Sequence, residues 1–285
     1  MRISVLSGKG GTGKTFISVN LAYSAKDALY IDCDVEEPNG RIFLKPTLKN
    51  TEYVKVMLPA ADMGKCNGCK ICVDFCKFNA LAYTKGQLLI FPELCHGCGG
   101  CVMLCPNDAL SETTRSIGTV EYAQTGEVKT RTGVLNIGEA VGIPIISRLL
   151  TDTPDKDLVI IDCPPGSSCA VMESIKDSDF CILVAEPTLF GVQNLSMVYE
   201  LVKLFDKPCG VVINKALEGE TMAEDYCREN GIPILMEIPY EPEIGFLNSK
   251  GMLTADREKY SGLFEDLLRK IRGEMSHEAT GYTKR

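Results

Sequence analysis

The chain has 285 residues, 45% of them hydrophobic and 24% charged, which is enough for one large α/β core or two smaller ones. Thirty-eight acidic residues against 30 basic ones leave a net charge of −8, so there is no basic footprint for non-specific binding to nucleic acid or to an anionic membrane. The longest mid-chain apolar run, Phe180 to Ala185, is far shorter than the roughly 20 residues of a spanning helix, and no membrane insertion is expected.

Ile3 to Leu6 and Ala28 to Ile31 read as short buried strands with an amphipathic helix between them, from Lys14 to about Lys26. The first strand runs into a glycine-rich loop rather than a cleavage site, so a cytoplasmic protein is expected. From about residue 60 to 110 the rhythm gives way to a stretch rich in Cys, Gly and Asn, which reads as an inserted domain. Residues 1–59 and 111–285 are then two parts of the domain around it. Within the second part, 111–134 is rich in Thr, Gly and Glu and predicts irregular or hairpin structure. Strands resume at Leu158 to Ile161, Phe180 to Val184, Gly210 to Ile213 and Ile234 to Ile238, with helical stretches at about 194–205 and 221–230. Near-continuous apolar strands of this kind belong to a mostly parallel sheet covered by helices on both faces. Tyr260, Leu263, Phe264, Leu267, Leu268 and Ile271 have helical spacing. The opposite face mixes acids and bases, which favours a helix packed on the body over one lying on a membrane, and the polar chain after Met275 is expected to fray.

The octapeptide Gly8-Lys9-Gly10-Gly11-Thr12-Gly13-Lys14-Thr15 fits G-x-x-x-x-G-K-[ST] between a predicted strand and a predicted helix. Its glycines allow successive backbone N–H groups to point inward at phosphate oxygens at a helix N-terminus. Lys14 would reach the β and γ phosphates of a nucleotide, and Thr15 would hold Mg²⁺.

Eight of the 14 cysteines lie between Cys66 and Cys105. They form two runs, Cys66, Cys69, Cys72, Cys76 and Cys95, Cys98, Cys101, Cys105, each member of the second 29 residues after its counterpart, and Asn79-Ala80-Leu81 matches Asp108-Ala109-Leu110 at the same offset. Three thiolates at i, i+3 and i+6 wrap one corner of an iron-sulfur cube, and the fourth ligates the other cube. Cys66, Cys69, Cys72 and Cys105 are thus expected on one [4Fe-4S] cluster, and Cys95, Cys98, Cys101 and Cys76 on the other. Structural zinc is the competing reading, but it uses C-x2-C pairs separated by a longer loop. Pro106 follows the last cysteine, whereas Lys77 follows Cys76. Lys77 either raises the potential of the adjacent cluster or is solvated. Cys33, Cys163, Cys169, Cys181, Cys209 and Cys227 are scattered singly.

The second lysine of the loop, Lys9, with Gly10 and Gly11 after it, resembles the deviant Walker motif of the MinD, ParA, Mrp and nitrogenase iron-protein superfamily, and the cysteine segment resembles a two-cluster bacterial ferredoxin. The resemblance implies a P-loop NTPase sheet with a small inserted α+β ferredoxin-like domain. It also implies ATP/ADP and Mg²⁺ as ligands and a dimer sandwich in which Lys9 contacts nucleotide on the facing subunit. Asp34 matches the aspartate that orients the attacking water, and Asp162, followed by Cys163-Pro164-Pro165-Gly166, matches the one that holds Mg²⁺ through water. Asn214 matches a position that reads adenine, and Pro239 is expected in a loop near the base. Cys169 sits where the nitrogenase iron protein has a cluster ligand, but no second ligand accompanies it. Three functions remain open on this resemblance: ATP-gated electron transfer to a redox partner, assembly or carriage of an iron-sulfur or metal cluster, and a positioning ATPase whose insert is a docking module. The dimer could pair two copies or this chain with a paralogue.

Overall fold

The computed structural model describes residues 1–153 and 158–281. In chain order it contains β1 (Arg2–Leu6), α1 (Lys14–Ser24), β2 (Ala28–Asp32), α2 (Gly40–Leu44), β3 (Thr47–Ala61), α3 (Ile71–Phe75), β4 (Leu81–Thr84), β5 (Gln87–Ile90), α4 (Gly100–Met103), β6 (Leu110–Thr125) and β7 (Val128–Leu135). There follow α5 (Ile143–Leu150), β8 (Leu158–Asp162), α6 (Cys169–Ile175), β9 (Phe180–Ala185), α7 (Leu189–Leu204), β10 (Cys209–Ala216), α8 (Met222–Asn230), β11 (Ile234–Pro239), α9 (Pro242–Ser249) and α10 (Ser261–Gly281).

Nine strands form one sheet in the order β11-β10-β9-β1-β8-β2-β7-β6-β3. From β11 to β7 all neighbours are parallel. At the other edge β6 runs antiparallel to β7, and β3 antiparallel to β6. The fold is α/β with a mostly parallel sheet, as the apolar strands predicted.

Alternation along the strands sends side chains to two separate cores. On one face Leu29, Ile31, Val159, Ile161, Cys181 and Leu183 pack with residues of α5 to α8, and on the other Ile3, Val5, Tyr30, Ile160 and Phe180 pack with α1 and α10. Phe264, Leu267 and Ile271 of α10 are fully buried there, so the apolar stripe of this helix is covered by the body. The helix continues through Gly281 instead of fraying after Met275. Among the described residues no helix is long and apolar enough to cross a membrane.

Of the two structures expected for residues 111–134, irregular or hairpin, the fold has the hairpin, formed by β6 and β7. β3, which the sequence did not reveal, pairs with β6 along its whole length from Thr47↔Gln124 to Ala61↔Leu110. The two make a long ribbon whose far end carries 62–109.

The backbone of that segment repeats at 29 residues. Gly68 and Gly97, Lys70 and Gly99, and Asn79 and Asp108 all have positive φ. The Asp62 N–H donates to the Ala109 carbonyl at 2.8 Å, and the equivalent Phe91 N–H donates to the Ala80 carbonyl at 2.9 Å. The β4–β5 hairpin pairs Leu81 with Ile90, and its counterpart is the end of the ribbon, where Leu110 pairs with Ala61. A small core of Leu81, Cys101 and Leu110 lies between the halves.

Candidate functional site

The glycine-rich loop joins β1 to α1, at the C-terminal edge of the parallel strands where open α/β sheets place ligands. Gly13 has φ +100°, and a Cβ there would collide with the Asn214 amide. Gly8 lies against the backbone of Asn194 in α7, which leaves no room for a side chain. The loop borders a cleft of about 900 Å³ lined by Lys9, Gly10, Gly11, Gly13, Lys14 and Thr15, and by Asp34.

Lys14 is the charged centre of this cleft. Its Nζ is 2.8 Å from Asp162 Oδ1 and 3.6 Å from Asp34 Oδ2. Burial alone would depress this ammonium, but Asp162, Asp34 and Asp32 outweigh it and raise the pKa. Asp162 ends β8, is fully buried, and accepts a 3.0 Å bond from the Tyr30 hydroxyl on Oδ2. Asp32 ends β2 and accepts from the N–H groups of Gly40 at 2.9 Å and Asp34 at 3.2 Å. Burial, with Asp162 close by, pushes Asp32 up to about 8. Asp34 is raised as well, chiefly by burial.

Lys9 pairs with Glu186 at 2.6 Å, and Lys215 pairs with the other oxygen of the same carboxylate at 2.6 Å while donating to the Gly11 carbonyl at 2.9 Å. Glu186 follows β9 directly and was not anticipated; an acid just after a buried strand is the signal that had marked Asp162. Burial opposes its ionisation, yet Lys215 and Lys9 hold its pKa below the usual value. Asn214 does not line the cleft. It is buried and donates Nδ2 to the Thr12 carbonyl at 2.7 Å, bracing the loop from β10. Pro239 is the last residue of β11, paired with Ala216, and not part of a loop as expected.

The eight clustered cysteines surround two cavities. Cys66, Cys69, Cys72 and Cys105 line the first. Cys76, Cys95, Cys98 and Cys101 line the second, together with Lys77 and His96, whose ring stacks on Phe78 at 3.7 Å between centroids. The fourth cysteine of each run has crossed to the other set. The N–H of Ala80 donates to Cys76 Sγ at 3.4 Å, and at the equivalent position the N–H of Ala109 donates to Cys105 Sγ at 3.3 Å. Burial raises the Cys105 thiol, but N–H groups of Asn107, Ala109 and Leu110 more than offset this and lower its pKa. Among the described residues no three His, Cys, Asp or Glu side chains converge in the manner of ligands to a single metal ion. Cys33 and Cys163 are fully buried, and burial pushes Cys163 up to about 12, so both are core thiols. Cys169 is exposed at the start of α6.

Residues 3–254 match the family model of the CobQ/CobB/MinD/ParA nucleotide binding domain. The chain belongs to that family. It is 33% identical over 222 residues to the uncharacterized protein MJ0578 of Methanocaldococcus jannaschii, covering 75% of this chain and 78% of the relative. It is 30% identical to MJ0579 of the same organism over 227 residues, covering 75% and 80%. Its fold is similar to that of the cell division ATPase MinD of Pyrococcus furiosus, with TM-score 0.59, 18% identity, and 95% and 98% of the two chains covered. MinD of Pyrococcus horikoshii, complexed with Mg-ADP, is similar to the same degree, with TM-score 0.59, 18% identity and 95% of each chain covered.

Proposed function

We propose that the protein is a Mg-dependent ATPase that closes as a dimer on nucleotide and couples that closure to electron transfer through two [4Fe-4S] clusters. The observation that carries the reading is one chain holding both a family P-loop cleft centred on Lys14 and two cavities each lined by four cysteines. In this reading Lys14 neutralises the β and γ phosphates, and Thr15 and Asp162 hold Mg²⁺, with Tyr30 fixing the orientation of Asp162. Asp34, 3.6 Å from the Lys14 Nζ, orients the attacking water. Lys9, released from Glu186, reaches the nucleotide of the second subunit, and Lys215 remains to neutralise Glu186.

The donor chemistry of the cavities fits the clusters. A cubane takes one thiolate per iron, so its ligands stand around a space, whereas a zinc ion draws them to one point. Cys66, Cys69, Cys72 and Cys105 would hold one cluster and Cys76, Cys95, Cys98 and Cys101 the other. Bound there, the clusters supply reversible one-electron storage. The N–H groups of Ala80 and Ala109 stabilise negative charge on Cys76 and Cys105.

A second reading, an ATPase that assembles or carries clusters, is favoured by the exposure of Cys69 and Cys98, one ligand in each set. Anaerobic reconstitution tests the first reading directly: about eight iron and eight labile sulfide per chain are expected. Stoichiometric zinc, or iron far below that ratio, overturns it. Iron that moves to an apo-ferredoxin during ATP turnover would instead establish the carrier.

A further inference from the structure

The two cysteine cavities differ in what they touch outside the cysteine segment. Every residue lining the first lies between Ala61 and Leu110. The second is lined in part by Met57 and Pro59 of β3. Its Cys95 and His96 also border a smaller cavity with Arg115, Glu139, Val141 and Pro144. The last three belong to the stretch between β7 and α5 and the first turn of α5, and this stretch also reaches the nucleotide cleft.

At the cleft end, Gly142 and Ile146 line the wall beside Val35. The Leu135 N–H donates to the Val35 carbonyl at 2.9 Å, and Gly142 lies so close to Val35 that a Cβ would strike its side chain. At the other end Glu139 forms an ion pair with Arg115, whose Nη2 donates to the Pro92 carbonyl at 2.7 Å, three residues before Cys95. Asn136 fixes the stretch to β6, with its N–H on the Ile117 carbonyl at 2.9 Å and its Nδ2 on the Ser116 carbonyl at 3.2 Å. The Arg115 and Glu139 side chains are only 18% and 12% exposed, so solvent and salt screen the pair weakly. Arg115 therefore holds both Glu139, in the stretch that runs on to Gly142 at the cleft wall, and the backbone leading into Cys95.

We propose that Arg115 and Glu139 form a strut that couples nucleotide occupancy of the cleft to the backbone around Cys95, and thus to the second cysteine set and not the first. The consequence for a cluster rests on the iron-sulfur reading above; the strut itself does not. Nucleotide that packs on Val35 and Gly142 shifts the 136–142 stretch, and Arg115 transmits the shift to residues 92–95. By linkage, a change of state at the second cysteine set alters nucleotide affinity by the same factor. Arg115 touches neither nucleotide nor cysteine sulfur and is a positioning residue.

The internal duplication supplies the control. Residues 62–69 are the counterpart of 91–98 and include none of the residues lining the cleft or the smaller cavity. Hydrogen–deuterium exchange of the full anaerobically reconstituted chain, with and without Mg-AMPPNP, reads both segments in one experiment. Amides in 91–98 are expected to exchange about fivefold more slowly with nucleotide, the lower end of ordinary couplings, and those in 62–69 to be unchanged. In Arg115→Gln, and independently in Glu139→Gln, the response of 91–98 should vanish while Mg-AMPPNP affinity stays within about twofold. No response in wild type, an equal response in both segments, or a response that survives both substitutions overturns the strut. Iron content of the same samples reports separately on the cluster reading, and redox titration adds a second measure: nucleotide should move the potential of one cluster only, and neither in Arg115→Gln.

Discussion

Asp32 makes the stability of the nucleotide-free protein fall as pH rises through neutrality. The carboxyl is fully buried at the end of β2. Burial, and then the nearby Asp162, push its pKa from 3.8 in the unfolded chain to about 8 in the fold. Between those values the folded state keeps a proton that the unfolded state has released. Folding therefore takes up a proton, and the unfolding free energy decreases with pH, opposite in sign to an ion-paired carboxylate. At full separation the uptake of one proton lowers the unfolding free energy by roughly 1 kcal/mol per pH unit. Lys14, whose pKa is raised, contributes stability that is fully present below its unfolded value of 10.5 and is lost only above it, outside this window. The Asp34 pKa is also raised, chiefly by burial, and so acts in the same direction. Asp32→Asn retains the shape and one acceptor for the Gly40 or Asp34 N–H. It loses the other bond, at a pH-independent cost of about 1 kcal/mol. Urea unfolding followed by circular dichroism, dominated by the helices on the large sheet, should give a wild-type slope between pH 5 and 7 clearly steeper than that of Asp32→Asn. Equal slopes would mean that Asp32 is ionised in the fold, and the electrostatic account of the cleft would be wrong.

Lys14→Ala should abolish nucleotide binding measured by calorimetry, because it removes the cation that would meet the phosphates and leaves Asp34 and Asp162 without their shared partner. Lys9→Ala should bind nucleotide normally, since Lys215 still neutralises Glu186, but should fail to dimerise with ATP in sedimentation experiments. Asp34→Ala should bind Mg-ATP and dimerise, with turnover reduced about 100-fold or more through loss of water positioning. Asn214→Ala leaves the buried Thr12 carbonyl without its partner and should lower stability by about 1–3 kcal/mol, with a weaker nucleotide affinity as the loop relaxes.

The parts of the site that the sequence made visible are those with fixed local spacing. The P-loop needs its glycines at set positions between strand and helix, and the cysteine offsets suggested that each fourth cysteine groups with the other run; in the fold Cys105 lines a cavity with Cys66, Cys69 and Cys72, and Cys76 lines one with Cys95, Cys98 and Cys101. Residues that reach the site through long-range packing carried no such mark. Tyr30 reads as one more apolar residue of a buried strand until β2 and β8 are seen side by side, which puts its hydroxyl on Asp162. Arg115 and Glu139 are 24 residues apart in chain regions without periodicity, and only the β6–β7 hairpin brings them together. β3 was hidden because an edge strand pairs on one side only. Lys49, Asn50, Glu52 and Lys55 interrupt its apolar residues, and such charges protect an open edge from further pairing.

The duplicated hairpins explain how a cysteine segment can be inserted within the chain of a nucleotide-binding domain without a linker, at the β3–β6 edge of its sheet. In one copy the hairpin closes on itself: β4 turns into β5 through Lys85 and Gly86, both with positive φ, as a two-residue reversal demands. In the other copy the strands equivalent to β4 and β5 do not close. They continue past Leu58 and Thr113 as the β3–β6 ribbon, and from Gly118, opposite Val54, to Thr125 β6 also pairs with β7 and so joins the large sheet. The connection is a ladder of backbone hydrogen bonds, and its base is anchored where Val54, Ile117 and Val120 enter the core formed with α5. A flexible tether would let the two sites move independently. A paired ribbon instead ties the cysteine cavities as one unit to the edge of the sheet beside β7, so a change confined to one of the two sets has to reach it by a contact that the other set lacks, as Arg115 makes with the Pro92 carbonyl.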